Sequence, residues 1–421
     1  MLARFSLYGF LKNQLYFEPF FAIIFLGRGL DFFGIGVVLA VTDAVTNLLE
    51  VPSGWVADHW GRRRSMILSL GAYLASFVAY AFADGLWWCV PAAACFGVGE
   101  AFRSGTHKAM IFEWLRRQGR LAERTRVYGF TRSWSQVGSA VAMVVSAGLA
   151  LTLPELRWLF LAACVPYVLG IVNLWGYPSE LEHGARSEHL ARSEHLARSG
   201  HEKAGTAAPR EGFLSTLALV FRRPGLRRLV IESCAVQGSQ KLLAPYVPVV
   251  LALAGLPAAG ALATAAGAMP VASVLWIAGV GAGLHLCAAL GSVMAHRVQR
   301  WESSPDRAPR RLWAMVVVAI SLQAAGVWTG QVVPAVVGFV AFAFLFNAWR
   351  PGFLTRFDRD TPADRQATVL SVESQATTAF TAVLAPLTGA AADRWGIGVV
   401  FGACLVLATS PLALPRPREN A

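Results

Sequence analysis

Chemistry in this chain would have to come from a few ionisable and amide side chains set into otherwise apolar stretches. Glu18 stands just before Pro19. Glu100 and Arg103 are three residues apart, which puts them on one face of a helix, and His107 and Lys108 follow a turn later. Gln240 precedes Lys241, and Asn347 comes three residues before Arg350. Asp43, Asn47 and Glu50 recur at spacings of four and three, a polar stripe along a helix. A carboxylate in such surroundings can load and release a proton, and a cation there can hold an anionic group. Glu373 and His285 are further cases, read as hydrogen-bonded packing groups. No constellation for hydrolysis, redox chemistry or group transfer occurs, and there is no Walker-type loop for ATP. The chain therefore does not read as an enzyme or a primary pump, and no cofactor is expected. Cys89, Cys95, Cys164, Cys234, Cys287 and Cys404 stand singly in apolar runs, as small buried hydrophobes rather than disulfides or metal ligands.

The elements that must position these groups are membrane-spanning helices. Of the 421 residues, 55% are apolar and only 15% charged, against about a quarter charged in soluble domains. Crossing a hydrocarbon core of about 30 Å takes roughly 20 helical residues, and lipid cannot satisfy exposed backbone groups, so helices are the natural spanning form. Twelve spans are predicted: Phe5–Leu26, Phe32–Val56, Ser65–Ala83, Leu86–Leu115, Tyr128–Leu151, Leu156–Trp175, Leu226–Ala254, Ala268–Val298, Leu312–Trp328, Val332–Asn347, Ala367–Ala391 and Ile397–Leu412. The first apolar run has no small-residue cleavage site after it and reads as a retained helix. Arg28, Arg157 and Arg394 are the only basic residues in the outer loops on this layout. The inner segments carry Arg62, Arg63 and Arg64, the run from Arg116 to Arg126, the central loop, and the tail residues Arg416 and Arg418. That bias accounts for the formal charge of +12 and puts both termini in the cytoplasm. It leaves no soluble basic face for a nucleic-acid partner.

One long polar segment divides the chain into a bundle at 1–177, a cytoplasmic linker at 178–212 and a second bundle at 213–421. Ala185–Leu190 is repeated as Ala191–Leu196 and again, imperfectly, from Ala197. A tandem repeat rich in Arg, Ser, Glu and His cannot bury a core and reads as a solvated linker. His183, His189, His195 and His201 recur every six residues, but that spacing turns successive side chains away from one another on a helix, so no metal site is expected. The flanking bundles look like copies. Gln14, Pro19, Gly29 and Leu30 align without gaps to Gln240, Pro245, Gly255 and Leu256, and Gly54 with Asp58 and His59 to Gly291 with Ala295 and His296. An internal repeat is the usual plan of a secondary transporter, with its site at the repeat interface.

After the second span comes Gly54-Trp55-Val56-Ala57-Asp58-His59-Trp60-Gly61-Arg62-Arg63-Arg64. Gly54 would let this helix approach a neighbour closely, and Gly61 would turn the chain. Asp58 could accept from helix-terminal amides or pair with an arginine. The run resembles the signature of the major facilitator superfamily, G-x-x-x-D-x-x-G-R-R/K-x, which lies between the second and third helices of that family. Glu50-Val51-Pro52-Ser53 before it, Gly97-Val98-Gly99-Glu100 with Ser104-Gly105, and Arg365-Gln366-Ala367-Thr368-Val369-Leu370-Ser371 resemble one bacterial branch. A similar stretch, Asp393-Arg394-Trp395-Gly396, falls outside by helix counting and reads as a short turn.

The resemblance implies an all-α membrane protein of twelve helices in two pseudo-symmetric six-helix bundles, in the bacterial inner membrane, as a monomer. It implies a cytoplasmic gate at Gly54, Asp58, Gly61 and Arg62, asymmetric because Ala295 stands where the second copy would have its acid. It also implies a central cavity lined by spans 1, 4, 7 and 10, hence substrate or coupling roles for Glu18, Glu100, Arg103, Gln240, Lys241, Asn347 and Arg350; Asp43, on the polar stripe of span 2, reads either as a hydrogen-bonded helix contact or as a further proton site. Lys241 falls about 15 residues into its span, roughly 22 Å along it. Its repeat counterpart is Leu15, a turn from Glu18, so Glu18 and Lys241 are expected to face the cavity from opposite halves and to pair or divide substrate and proton between them. The expected function is proton-coupled export of a small polar or anionic organic compound. Uptake or exchange of a small organic anion is the alternative, and a non-transporting membrane sensor or assembly partner is the alternative of another class.

Overall fold

The computed structural model describes residues 1–182, 213–255, 269–300, 307–361 and 366–413. The six-residue repeats with their four histidines, Arg365 and the tail arginines lie outside the described residues. The described part is helical: α1 Leu2–Leu11, α2 Phe21–Gly27, α3 Phe32–Trp60, α4 Arg62–Phe82, α5 Leu86–Arg103, α6 Thr106–Arg117, α7 Arg124–Thr152 and α8 Trp158–Trp175. It continues with α9 Phe213–Arg222, α10 Pro224–Leu243, α11 Tyr246–Gly255, α12 Val271–Arg300, α13 Arg307–Thr329, α14 Val332–Asp360, α15 Gln366–Trp395 and α16 Gly398–Thr409. Seven of these are single helices long and apolar enough to cross a membrane. Large apolar side chains such as Trp87, Val144, Val165 and Val172 point outward, a surface suited to lipid.

Three spans expected to be continuous are broken instead, and all three open a three-helix unit. Span 1 is α1 and α2 with an irregular stretch between them; span 4 is α5 and α6; span 7 is α10 and α11. Each break has a local cause. Pro19 and Pro245 lack the N–H that a continuous helix needs. Gly105 sits at φ +74°, a conformation that side-chain-bearing residues rarely adopt, and turns the chain between α5 and α6. Polar groups freed by the first break are met from neighbouring helices. Tyr167 Oη donates to the Lys12 carbonyl at 2.8 Å and Ser146 Oγ to the Tyr16 carbonyl, while the Gln14 side chain ties the break to α7 by donating to the Gly138 carbonyl at 2.8 Å. Unwound backbone survives at membrane depth only when satisfied in this way. Spans 2 and 10 run past their expected ends, to Trp60 and Asp360.

Two apolar cores form. One joins α1–α8 and takes in Val249, Leu251, Ile277 and Ala278 of α11 and α12; the other joins α10 and α13–α16. Between the halves, α3 packs on α15 and α7 on α12. The α3–α15 pair is antiparallel, and its backbones touch at Gly36 against Ala385 and at Gly389 against Phe32. We call the end holding Phe32 and Trp395 the far end, and the end holding Trp60 and Gln366 the near end.

Candidate functional site

Going from the far end towards the near end, polar contacts between α3 and α15 follow one register. Asp393 accepts from the N–H groups of Phe32 and Phe33; Asp43 accepts from Thr381 Oγ1; Asn47 Nδ2 donates to the Gln375 carbonyl at 2.7 Å and to Thr378 Oγ1 at 3.2 Å. Beyond Asn47 no hydrogen bond or ion pair joins the two helices among the described residues. Trp55 is 64% exposed, and a Cβ on Gly54 would meet nothing within 4 Å. Gly54 was expected to lie against a neighbour; it faces open space instead, on the part of α3 that makes no polar contact with α15.

The signature loop is held from within its own half. Gly61 stands at φ +114°, and the Arg62 N–H donates to the Glu182 carbonyl at 2.8 Å. The nearly buried Glu182 carboxylate pairs with Arg63 and Arg64, each at 3.2 Å. Asp58, in the last turn of α3, pairs at 3.4 Å with Arg62, the first residue of α4, and is largely exposed. Glu182 was not foreseen; an acid at the start of the linker, just after span 6, was the available signal.

At mid-height the expected partnership changes. Lys241 Nζ donates to Asp43 Oδ1 at 3.2 Å, so Lys241 crosses between the halves to Asp43 and not to Glu18. The reason is rotation along α10: successive residues diverge by about 100°, so Gln240 lines the cavity while Lys241 turns towards α3. A cavity of about 250 Å³ between the halves is lined by Glu18, Met143, Gln240, His285 and Asn347 together with apolar side chains. His285, expected as a satisfied core group, lines this cavity together with Glu18. Asn347 Oδ1 accepts from Ser292 Oγ at 3.4 Å.

Two further groups lie away from that cavity. Arg350, placed by its sequence at the end of span 10, makes two hydrogen bonds to the buried carboxylate of Glu373, at 2.8 and 3.1 Å, and Ser233 and Gln237 donate to the same carboxylate. Glu100 and Arg103 do share a face and pair: Arg103 Nη2 reaches both carboxylate oxygens at 2.7 and 2.6 Å, and Tyr73 Oη donates to Glu100 at 2.6 Å. They line a second cavity, inside the first half. So the structure gathers Glu18, Gln240 and Asn347 in one place, Asp43 with Lys241 in another, and keeps Arg350 apart.

A sequence model of the Major Facilitator Superfamily matches residues 3–374. No match was found among curated protein sequences. Among solved structures, the nucleoside transporter NupG is similar with a TM-score of 0.74 at 13% identity, over 98% of this chain and 98% of that one. A bacterial homologue of the human lysosomal transporter Spinster, in an inward-facing and unoccupied conformation, gives a TM-score of 0.71 at 16% identity, over 98% and 95%. A D-xylose–proton symporter gives 0.69 at 15% identity, over 100% and 98%. At such identities these likenesses speak for the fold, and the family match across most of the chain carries the assignment: the chain belongs to the major facilitator superfamily.

Proposed function

We propose that the chain is a proton-coupled exporter of a small polar or anionic organic compound that works by alternating access. The observation that carries this reading is the unequal contact between α3 and α15: joined at the far end, apart at the near end, with charged groups between. Halves fastened on one side of a shared cavity and separate on the other have the form of one state in a rocking cycle. Continuing the α3–α15 register brings Asp58 opposite Gln366, the start of α15. Closing the near end would let Asp58 cap α15 as Asp393 caps α3, with Gly54 permitting the approach and Gly61 and Arg62 holding the loop. The basic residues of the near-end loops support a cytoplasmic near end, so the open chamber would load from the cytoplasm of a bacterial cell.

Asp43 is the coupling carboxylate in this reading. It holds Lys241 and Thr381 across the interface, and a proton on it would remove the charge that holds Lys241. Glu18, Gln240, His285 and Asn347 form the substrate chamber.

The test is transport in proteoliposomes under pH gradients of either polarity, with a panel of labelled organic anions, nucleosides and sugars. Export coupling requires substrate to move against the proton gradient, and Asp43→Asn to abolish gradient-driven accumulation while exchange persists. Movement with the protons would establish uptake instead. No movement of any compound under either gradient would leave the sensor reading standing.

A further inference from the structure

The second cavity, of about 380 Å³, lies inside the first half, between α1, the α5–α6 break and the beginning of α7. Four basic side chains line it: Lys12, Arg103, Lys108 and Arg132. Glu100 is the one carboxylate on its wall, and Arg103 and Tyr73 already occupy it. Among the described residues Lys12 and Arg132 have no hydrogen-bond or ion-pair partner, and the Lys108 ammonium lies over the rings of Phe112 and Tyr128, at 5.6 and 5.4 Å from their centroids. Three cations thus share one partly enclosed space with no protein anion assigned to them. Lys12 is the most enclosed of the three, while Lys108 and Arg132 are exposed at the cavity wall, and like charges gathered in one concavity raise its local potential and draw anions to it. The first turn of α6, set by the Gly105 turn, begins at the same wall, and the N–H groups of a first helical turn have no acceptor within their own helix.

We infer that this cavity binds a small organic anion carrying two negative charges, a phosphate monoester or a dicarboxylate, with Lys12, Lys108 and Arg132 as its counter-charges. The volume falls in the range of small-ligand sites. Ser104 and Gln136 on the wall suit a ligand that also bears hydroxyl groups. Arg103, neutralised by Glu100, fixes the wall and does not compete for the ligand. The inference goes beyond the transport reading: it adds a second site, inside the first half and separate from the chamber at Glu18, Gln240, His285 and Asn347, and rests on that reading for the ligand's role. The cavity lies towards the near end, where the halves are apart, so it is placed to load in this conformation.

The experiment measures binding to the full-length protein in nanodiscs by titration calorimetry. The probes are inorganic phosphate, glycerol 3-phosphate, succinate, a lysophosphatidate and, as monovalent control, acetate. At least one dianion is expected to bind, and to bind at least tenfold more tightly than acetate. Lys12→Met and Arg132→Gln should each weaken it at least tenfold; Lys12→Arg should retain it, which excludes misfolding as the cause. Arg157→Gln, at the far end, should leave the affinity unchanged. Glycerol 3-phosphate and lysophosphatidate separate a soluble phosphate from a lipid headgroup. Failure of every dianion to outbind acetate, or unaltered binding in both Lys12→Met and Arg132→Gln, would overturn the inference. Transport independent of Lys12 would overturn it while leaving the transport reading intact; tight binding without transport would do the reverse.

Discussion

The carboxylate of Asp393 caps the helix that begins at Phe32: it accepts from the Phe32 N–H at 2.9 Å and from the Phe33 N–H at 2.8 Å. The last turn of α15 thereby closes the first turn of α3, its opposite number across the two halves. The same four-residue pattern ends both helices, Asp58-His59-Trp60-Gly61 and Asp393-Arg394-Trp395-Gly396, and both closing glycines have positive φ. At the far end the cap is engaged; at the near end Asp58 stands exposed beside Arg62.

Removing the engaged cap should shift the balance of conformations. Asp393→Ala is expected to cost the closed far end about 1 kcal/mol, a typical capping contribution, which is about fivefold in population. Distances between spin labels on Val51 and Val372, at the near end, should shorten on average. An unchanged distance distribution would mean that Asp393 does not bias the equilibrium.

Lys241 and Asp43 form an ion pair between the halves, half open to solvent. Asp43→Asn or Lys241→Met alone should lower stability by about 1–2 kcal/mol, less than the 3–5 kcal/mol of a fully buried pair because water screens it. The double variant should lose less than the sum of the singles, as measured by thermal unfolding in detergent. Additive losses would show that the two side chains do not interact.

Arg350 and Glu373 provide the contrast. Glu373 is 1% exposed and takes two hydrogen bonds from the guanidinium. Arg350→Ala strands a buried carboxylate and should cost about 3–5 kcal/mol. Arg350→Lys should recover only part of this, since an ammonium cannot supply the planar two-point contact. Both are read as losses of melting temperature, and full recovery in Arg350→Lys would count against the geometry.

Gly61 is the tightest point of the signature loop. Its φ of +114° is strained for any side chain, and an added Cβ would come within 2.6 Å of Glu182 Cγ. Gly61→Ala should destabilise the first half by about 1–3 kcal/mol, and Glu182→Ala should relieve the clash without relieving the backbone strain. Partial rescue in the double variant, seen in unfolding midpoints, checks the arrangement; complete rescue would mean that the backbone is unstrained.

The repeated structure was legible because apolar length, loop charge and the Gly54–Arg64 run are local properties that survive without coordinates. Pairing was much less so. Lys12 lies in the polar triplet Lys12-Asn13-Gln14 inside an apolar span, a signal of broken helix that a length criterion passes over. Asp393 resembled a turn because its partners, two backbone N–H groups more than 350 residues away, carry no mark in the sequence.

By itself the sequence determined that the chain crosses a bilayer many times in two related halves, because burying or exposing apolar surface is decided residue by residue. It also determined which helices carry charge. Only the tertiary structure decided which charges meet. Glu18 and Lys241 are both ionisable and stand in repeat-related spans, yet one opens on a cavity and the other crosses to Asp43. That choice turns on the rotation of each helix about its axis and on where it breaks, and packing against distant segments sets both.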